Sequence, residues 1–251
     1  MPEHNTTASP RFGLILIGDE LLNGRKQDAH LPAMIPRFAQ RGLELAWVRM
    51  LGDTSELIVE TLAESFASGD IVFSFGGIGA TPDDLTRQCA ATALGVELQL
   101  HPEAELEIRA QMAERLQPQH LNMGRFPQGS RIIPNPINRI PGFSIADHHF
   151  VPGFPKMAWP MVEWVLDHDY AALQAPGVNV SQTLLLTDTS EGPLIPLMET
   201  LLVEFPDLRL ACLPNAEGRR EVELSLKGRA ERVALGMQRL HLLLQEPGRQ
   251  S

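Results

Sequence analysis

The sequence predicts an α/β protein: a mostly parallel sheet with helices on both faces, followed by a small α+β unit. Three observations predict it. Strand-like and helix-like segments alternate from residue 12 to about residue 100. The run FGLILI at 12–17 is continuously apolar, the pattern of a strand buried on both faces. Beyond the linker-like Gln174-Ala175-Pro176-Gly177, the order changes to strand, helix, strand, strand, helix.

After the first strand, residues 28–41 read as a helix with Leu31, Ile35 and Phe38 on one face. Residues 43–51 read as a strand, and 55–67 as a helix that Asp53 or Thr54 can cap. Residues 70–75 form the third strand and 83–94 the helix after it. This βαβαβα order joins parallel strands through crossovers that place helices on both faces. A helix over 102–116 follows. Residues 118–143, rich in Pro, Asn and Gly, are irregular apart from a short strand at 130–133. A strand at 148–151 and a helix at 156–169 complete the larger unit. Past the linker, strands are expected at 180–187, 208–213 and 221–227, and helices at 193–204 and 230–244. Residues 1–11 read as a flexible tail, 12–172 as the first domain and 178–246 as the second.

The most informative stretch is FSFGGIGATPDDLT at 73–86. Gly76, Gly77 and Gly79 remove side chains where the backbone must turn sharply or lie close to a ligand. Thr81 can cap a helix whose first residue is Pro82. A glycine-rich loop feeding a helix N-terminus offers free N–H groups and positive dipole character to an anion. Asp83 and Asp84 would repel a bare phosphate. The pattern therefore points to a divalent cation between them or to chemistry on the phosphate.

In an open α/β sheet, ligands bind beyond the carboxyl ends of the strands. Three loops leave such ends: Gly18-Asp19-Glu20, the 76–84 loop, and Pro152-Gly153-Phe154-Pro155. Each has a plainer reading. Asp84 fits a helix-capping acid paired with Thr81. Asp19 and Glu20 fit caps of the following turn, and the PGFP loop fits a rigid turn. Convergence of all three on one rim favours a site. Arg25 and Lys26 fit a solvated turn. His148-His149 alternate faces along a strand, which keeps both from one ion. The loop lacks the Lys-Ser/Thr of a phosphate-binding P-loop and the third glycine of a dinucleotide fingerprint.

The formal net charge of -10 over 251 residues argues against a general nucleic-acid binder or an anionic-membrane binder. No apolar run approaches the ~18 residues of a membrane span. Without a signal pattern at its start, the chain is expected to be cytoplasmic. Cys89 and Cys212 lie in apolar segments and read as reduced core residues.

Gly18-Asp19-Glu20-Leu21-Leu22-x-Gly24, Asp28, Gly76-Gly77-x-Gly79-x-Thr81-x-Asp83-Asp84-x-Thr86, Asn135-Pro136, Pro141-Gly142-Phe143 and Pro152-Gly153-x-Pro155 occur in that order. Over residues 12–169 the chain resembles the molybdopterin-binding MoaB/MogA-type domain. It is more closely similar to the N-terminal part of CinA, the competence/damage-inducible proteins. The resemblance implies a three-layer α/β/α sandwich that holds a pterin or nucleotide pyrophosphate, with molybdopterin or an adenine nucleotide as the small-molecule ligand. The second unit resembles the KH-like region of CinA proteins but lacks the G-x-x-G loop that clamps nucleic acid. A packing role or homo-oligomer formation is expected there. The resemblance does not extend to the nicotinamide-nucleotide amidase domain that some CinA proteins carry.

For the site, the resemblance implies phosphate held near Gly76, Gly77 and Gly79, with Gly18, Thr81, Thr86, Pro152, Gly153 and Pro155 around the ligand. It implies Mg²⁺ at Asp84, shared with Asp83 or with Asp19 and Glu20. The reaction implied is hydrolysis of an ADP-ribose-like pyrophosphate, with Asp84 and Asp83 catalytic. Transfer of an adenylyl group to molybdopterin is the alternative, and binding without catalysis a third. Three departures bear on this. Asn138-Arg139-Ile140-Pro141-Gly142 stands where the family often has Gly-Thr-Ala-Pro-Gly. Asp28-Ala29-His30 stands where the family often has Asp-Thr-Asn. Met157 stands where it usually has an acid, next to Lys156, which could contact a phosphate as a point charge.

Overall fold

The computed structural model describes residues 10–215 and 220–245. Of the tail expected over 1–11, residues 1–9 lie outside them, as does residue 246. Arg11 is anchored: its guanidinium donates to both carboxylate oxygens of Asp70 at 2.9 Å, and the Trp47 indole N–H donates to the same carboxylate at 2.8 Å. The chain forms two compact units that divide after Gln174.

The first unit runs β1 (Phe12–Ile17), α1 (Asp19–Leu22), α2 (His30–Gln40), β2 (Leu45–Leu51), α3 (Ser55–Ser68), β3 (Ile71–Phe75), α4 (Thr86–Leu94), β4 (Leu98–Leu100), α5 (Pro102–Met112), β5 (Arg125–Pro127), β6 (Arg131–Ile133), β7 (Gly142–Ile145), β8 (His148–Val151) and α6 (Pro155–Asp169). A six-stranded sheet has the order β2-β1-β3-β8-β7-β6. β2, β1, β3 and β8 are parallel; β7 and β6 close it antiparallel. Alternate residues of β1 and β3 feed two cores. Leu14, Leu16, Phe73 and Phe75 pack with Met34 and Phe38 of α2 and Met161 and Val165 of α6. Ile15, Ile17 and Val72 pack on the other face with Ile58 and Leu62 of α3, Ala90 of α4 and Ala104 of α5. This is the expected three-layer α/β/α sandwich.

Several local expectations change. In α2 the buried stripe is His30, Met34 and Phe38, spaced four residues apart, and Ile35 is exposed. The Asp28 carboxylate caps this helix, accepting the N–H groups of His30 and Leu31 at 2.8 and 2.9 Å. The helix expected over 102–116 ends at Met112, where Ala113 takes φ 46°. The segment read as irregular contains β5 and the start of β7. β7 pairs with β8 through Ala146-Asp147, both left-handed at φ 46° and 54°. That turn conformation usually recruits Asn-Gly or Asp-Gly, so Ala-Asp carried no hairpin signal.

The second unit follows the expected order: β9 (Asn179–Thr187), α7 (Glu191–Glu204), β10 (Arg209–Pro214), β11 (Glu221–Arg229) and α8 (Ala230–Gln245). Its antiparallel sheet, β10-β11-β9, buries Leu224 and Leu226 against Leu197 and Leu201 of α7 and Val233 and Leu240 of α8.

The two histidines of β8 point to opposite faces. His148 donates from Nδ1 to the Ala146 carbonyl at 2.8 Å, and its Nε2 meets the Ser65 hydroxyl at 2.7 Å. His149 lies between the Ser144 hydroxyl at 2.8 Å and the Tyr170 hydroxyl at 2.7 Å, and Tyr170 donates onward to Asp147 at 3.0 Å. Burial lowers their pKa values to about 4 and about 3, respectively. Above about pH 6.5 both are neutral folded and unfolded, so their contribution is fully present. As pH falls below that value, only the unfolded chain takes up protons. Each histidine should then cost about 1.4 kcal/mol per pH unit. Urea midpoints measured between about pH 6.5 and 5, above the carboxylate range, should fall with a slope of at least about two protons, to which His30, whose pKa burial also lowers, adds. A flat profile would contradict the neutral buried state.

Candidate functional site

Parallel register brings four strand ends level. Ile17 pairs with Leu51, Leu16 with Phe75, and Phe75 with Val151. The loops leaving β1, β2, β3 and β8 enclose a cavity of about 470 Å³. Of the residues read from sequence, Gly18 and Glu20 line it, as do Gly76, Gly77, Gly79, Thr81, Asp83 and Asp84, and Pro152 and Gly153. Asp19, Thr86 and Pro155 stand outside its wall.

The glycine-rich loop is braced from below. Gly76 (φ 100°) donates its N–H to the Val151 carbonyl at 3.1 Å, and Gly77 takes φ 67°. Thr86, fully buried, donates its hydroxyl to the Gly76 carbonyl at 3.0 Å and its N–H to the Gly77 carbonyl at 3.0 Å. The expected helix start at Pro82 does not form. Thr81 instead donates its N–H and hydroxyl to Asp84 Oδ2 at 2.9 and 2.5 Å, and Asp84 returns its N–H to the Thr81 carbonyl at 3.0 Å. These bonds close a turn, so α4 begins at Thr86 and its first N–H is spent on Gly77. The dipole argument built on a helix at Pro82 is corrected accordingly. A Cβ at Gly79 would lie 2.5 Å from Asp84 Oδ2. The glycine is thus needed to admit the carboxylate.

Arg87 lies beneath this loop, nearly inaccessible. Its guanidinium donates to the Gly79 carbonyl at 2.6 Å and to the Asn122 carbonyl, while its Nε has no partner. Burial lowers its pKa to about 10 against the opposing charge of Asp84, leaving it cationic at neutral pH.

Asp53 was legible only as a helix cap, yet it lines the cavity. It follows the end of β2, a fourth strand-end loop whose position was the available signal. Asp19 and Asp53 exchange backbone-to-carboxylate bonds at 2.9 and 3.1 Å. Burial, together with the charges of Asp19, Glu20 and Asp83, raises the Asp53 pKa against the Asp19 N–H bond. Glu20 pairs with Lys26 at 3.3 Å, and Lys26 also lines the cavity. Among the described residues no group of three His, Cys, Asp or Glu could hold a metal ion, so Asp84, Asp19 and Glu20 are not a preformed triad.

The irregular segment supplies a wall that sequence reasoning did not place: Met123, Asn135, Asn138, Ile140 and Pro141. Met157 lines the cavity, with its sulfur 3.2 Å from the Asn138 amide nitrogen; Lys156 does not line it. His30 fixes the 152–155 loop from behind. Its Nε2 donates to the Gly153 carbonyl at 3.1 Å, its Nδ1 accepts the Trp159 indole N–H at 3.3 Å, and its ring lies 4.4 Å from that of Phe75. Burial lowers its pKa, keeping the imidazole neutral.

Thr86→Val keeps the shape of the side chain but leaves the Gly76 carbonyl unpaired. It should cost about 1–3 kcal/mol in urea denaturation. A change within the error of the measurement would show that the brace does not hold the loop.

Residues 13–191 match the family described as "Probable molybdopterin binding domain". A CinA-like protein of Citrifermentans bemidjiense is 35% identical over 209 residues, covering 80% of this chain and 50% of that protein. A protein of Pyrobaculum calidifontis is 26% identical over 213 residues, covering 82% of this chain and 81% of its own. The chain spans about half the length of the CinA-like relatives. Among solved structures, the protein CinA of Thermoplasma acidophilum, described as of unknown function, superposes with a TM-score of 0.58 at 25% identity over 63% of this chain and 98% of that one. The glycine-rich rim thus sits on a shared fold and a shared sequence, and the chain belongs to the molybdopterin-binding domain family, in its CinA-like branch.

Proposed function

We propose that the rim cavity binds the pyrophosphate of an adenine nucleotide or a pterin, and that the protein hydrolyses it with Mg²⁺. The observation that carries the reading is the cavity itself. It is of ligand size, walled by a loop of three glycines, and carries Glu20, Asp53, Asp83 and Asp84. Glycine keeps the loop backbone open to a phosphate. Four carboxylates near one anion require a shared counter-charge.

Mg²⁺ usually takes only one or two carboxylates and completes its shell with water and substrate phosphates. The residues present fit that mode without a preformed triad. Asp84 keeps one carboxylate oxygen outside the bonds described above, and Glu20 and Asp83 reach the cavity. When bound, the ion would polarise a phosphoryl group and lower the pKa of water. The chain's own part is to orient. Thr81 fixes the Asp84 carboxylate, Asp53 fixes Asp19, and Arg87 holds the Gly79 carbonyl from behind. Asp53, with its raised pKa, is placed to accept a proton from water at its carboxylate.

Binding without turnover is the second reading, favoured by Met157 in the cavity wall at the position where the family usually carries an acid. Both readings meet in one assay. Incubation with Mg²⁺ and ADP-ribose, FAD or NADH should release AMP, and Asp84→Asn should reduce the rate at least a hundredfold, about 3 kcal/mol of barrier. Nucleotide binding without AMP release would favour the second reading. In that case Met157→Glu should introduce measurable hydrolysis.

A further inference from the structure

We propose that a groove adjoining the cavity is an anion subsite for a phosphate monoester on the same ligand. The inference rests on the pyrophosphate reading for the other half of that ligand. The groove is lined by Gln111, Arg115, Gln117 and His120, and it meets the cavity at Asn138 and Ile140, which line both.

The two spaces differ in charge. The cavity carries four carboxylates and one lysine, itself paired with Glu20. No carboxylate lines the groove, and its charged or titratable groups are Arg115 and His120. Arg109 and Arg139 are neutralised by Glu105 and Glu107. Arg115 has no carboxylate partner among the described residues, so its charge is open to an anion.

The backbone presents these groups together. α5 ends at Met112, and Ala113 turns the chain through a left-handed φ of 46°. A short 3-10 turn at Ala113–Arg115 and a second at Pro118–Gly124 then carry Arg115 and His120. The Gln117 N–H donates to His120 Nδ1 at 3.1 Å, which places the imidazole proton on Nε2 as a donor. A guanidinium, an imidazole N–H and the Gln111 amide offer only donors or donor-capable groups. This set suits the oxygens of a phosphate monoester, for which charge-assisted bonds to Arg are strong. A ligand with pyrophosphate in the cavity and a monoester past Asn138 and Ile140 would satisfy both spaces.

The first test is a titration of the intact protein with inorganic phosphate, without divalent metal, following the His120 imidazole by NMR. Saturable movement of its resonances is expected, with affinity about tenfold weaker in Arg115→Gln. Resonances that do not move would overturn the subsite. The second test compares NADP⁺ with NAD⁺, which share a pyrophosphate and differ by one phosphate monoester. NADP⁺ should bind about tenfold more tightly, and Arg115→Gln should abolish the difference. Equal binding in the wild-type protein would overturn a single ligand spanning both spaces. If neither dinucleotide binds while His120 responds to phosphate, the pyrophosphate reading fails and the anion subsite stands.

Discussion

The rim depends on one close approach, the backbone at Gly76. Its N–H is bonded to Val151 of β8, and the position a Cβ would take is filled by the Ile17 carbonyl of β1. A Cβ on Gly153 would in turn touch Gly76 Cα at 3.4 Å. Three strand-end loops thus close over one backbone atom that carries no side chain. A larger residue would push β1 and β8 apart at their carboxyl ends, and the cavity walls would separate with them. Thr86 and Arg87 act from below on the same loop, holding the carbonyls of Gly76 and Gly79.

Electrostatics works against this packing. The loops crowd carboxylates at the rim, and few cations offset them. The protein stabilises the arrangement by local donors: Asp19 and Asp53 trade backbone N–H groups, and Thr81 gives two hydrogen bonds to Asp84. Such bonds orient a carboxylate without neutralising it. The remaining charge is available to a cation or to a cation-bound phosphate. The buried histidines, by contrast, carry no charge. His30, His148 and His149 are all kept neutral by burial, and each is placed by carbonyl, hydroxyl or indole partners.

Much of this was legible. The apolar run at 12–17, the glycines at 76, 77 and 79 and the Pro-Gly at 152–153 each report a local demand: burial on both faces, a left-handed turn, or a tight approach. The second unit was legible for a similar reason, since its strands alternate and α8 is amphipathic. Where the reading failed, the deciding contact was distant or unusual. Ile35 fits the apolar face of an isolated helix, but the sheet takes His30, Met34 and Phe38. Thr81 looks like a helix cap until Asp84 closes the turn on it. The β7–β8 hairpin runs through Ala146-Asp147, whose left-handed conformation is imposed by its surroundings, among them the bond from Tyr170 to Asp147.

The sequence by itself determined the α/β class, the strand order along the chain, and the loops that must be glycine, because burial period and backbone conformation are local properties written in neighbouring residues. Only the tertiary structure decided which carboxylates share the cavity. Asp53 enters because β2 lies beside β1 in register. Asp19 withdraws because its side chain turns back to the Asp53 N–H. Met123, Asn138 and Ile140 become a wall because an irregular segment folds across the rim. Those outcomes depend on distances between residues far apart in the chain, and no local pattern encodes them.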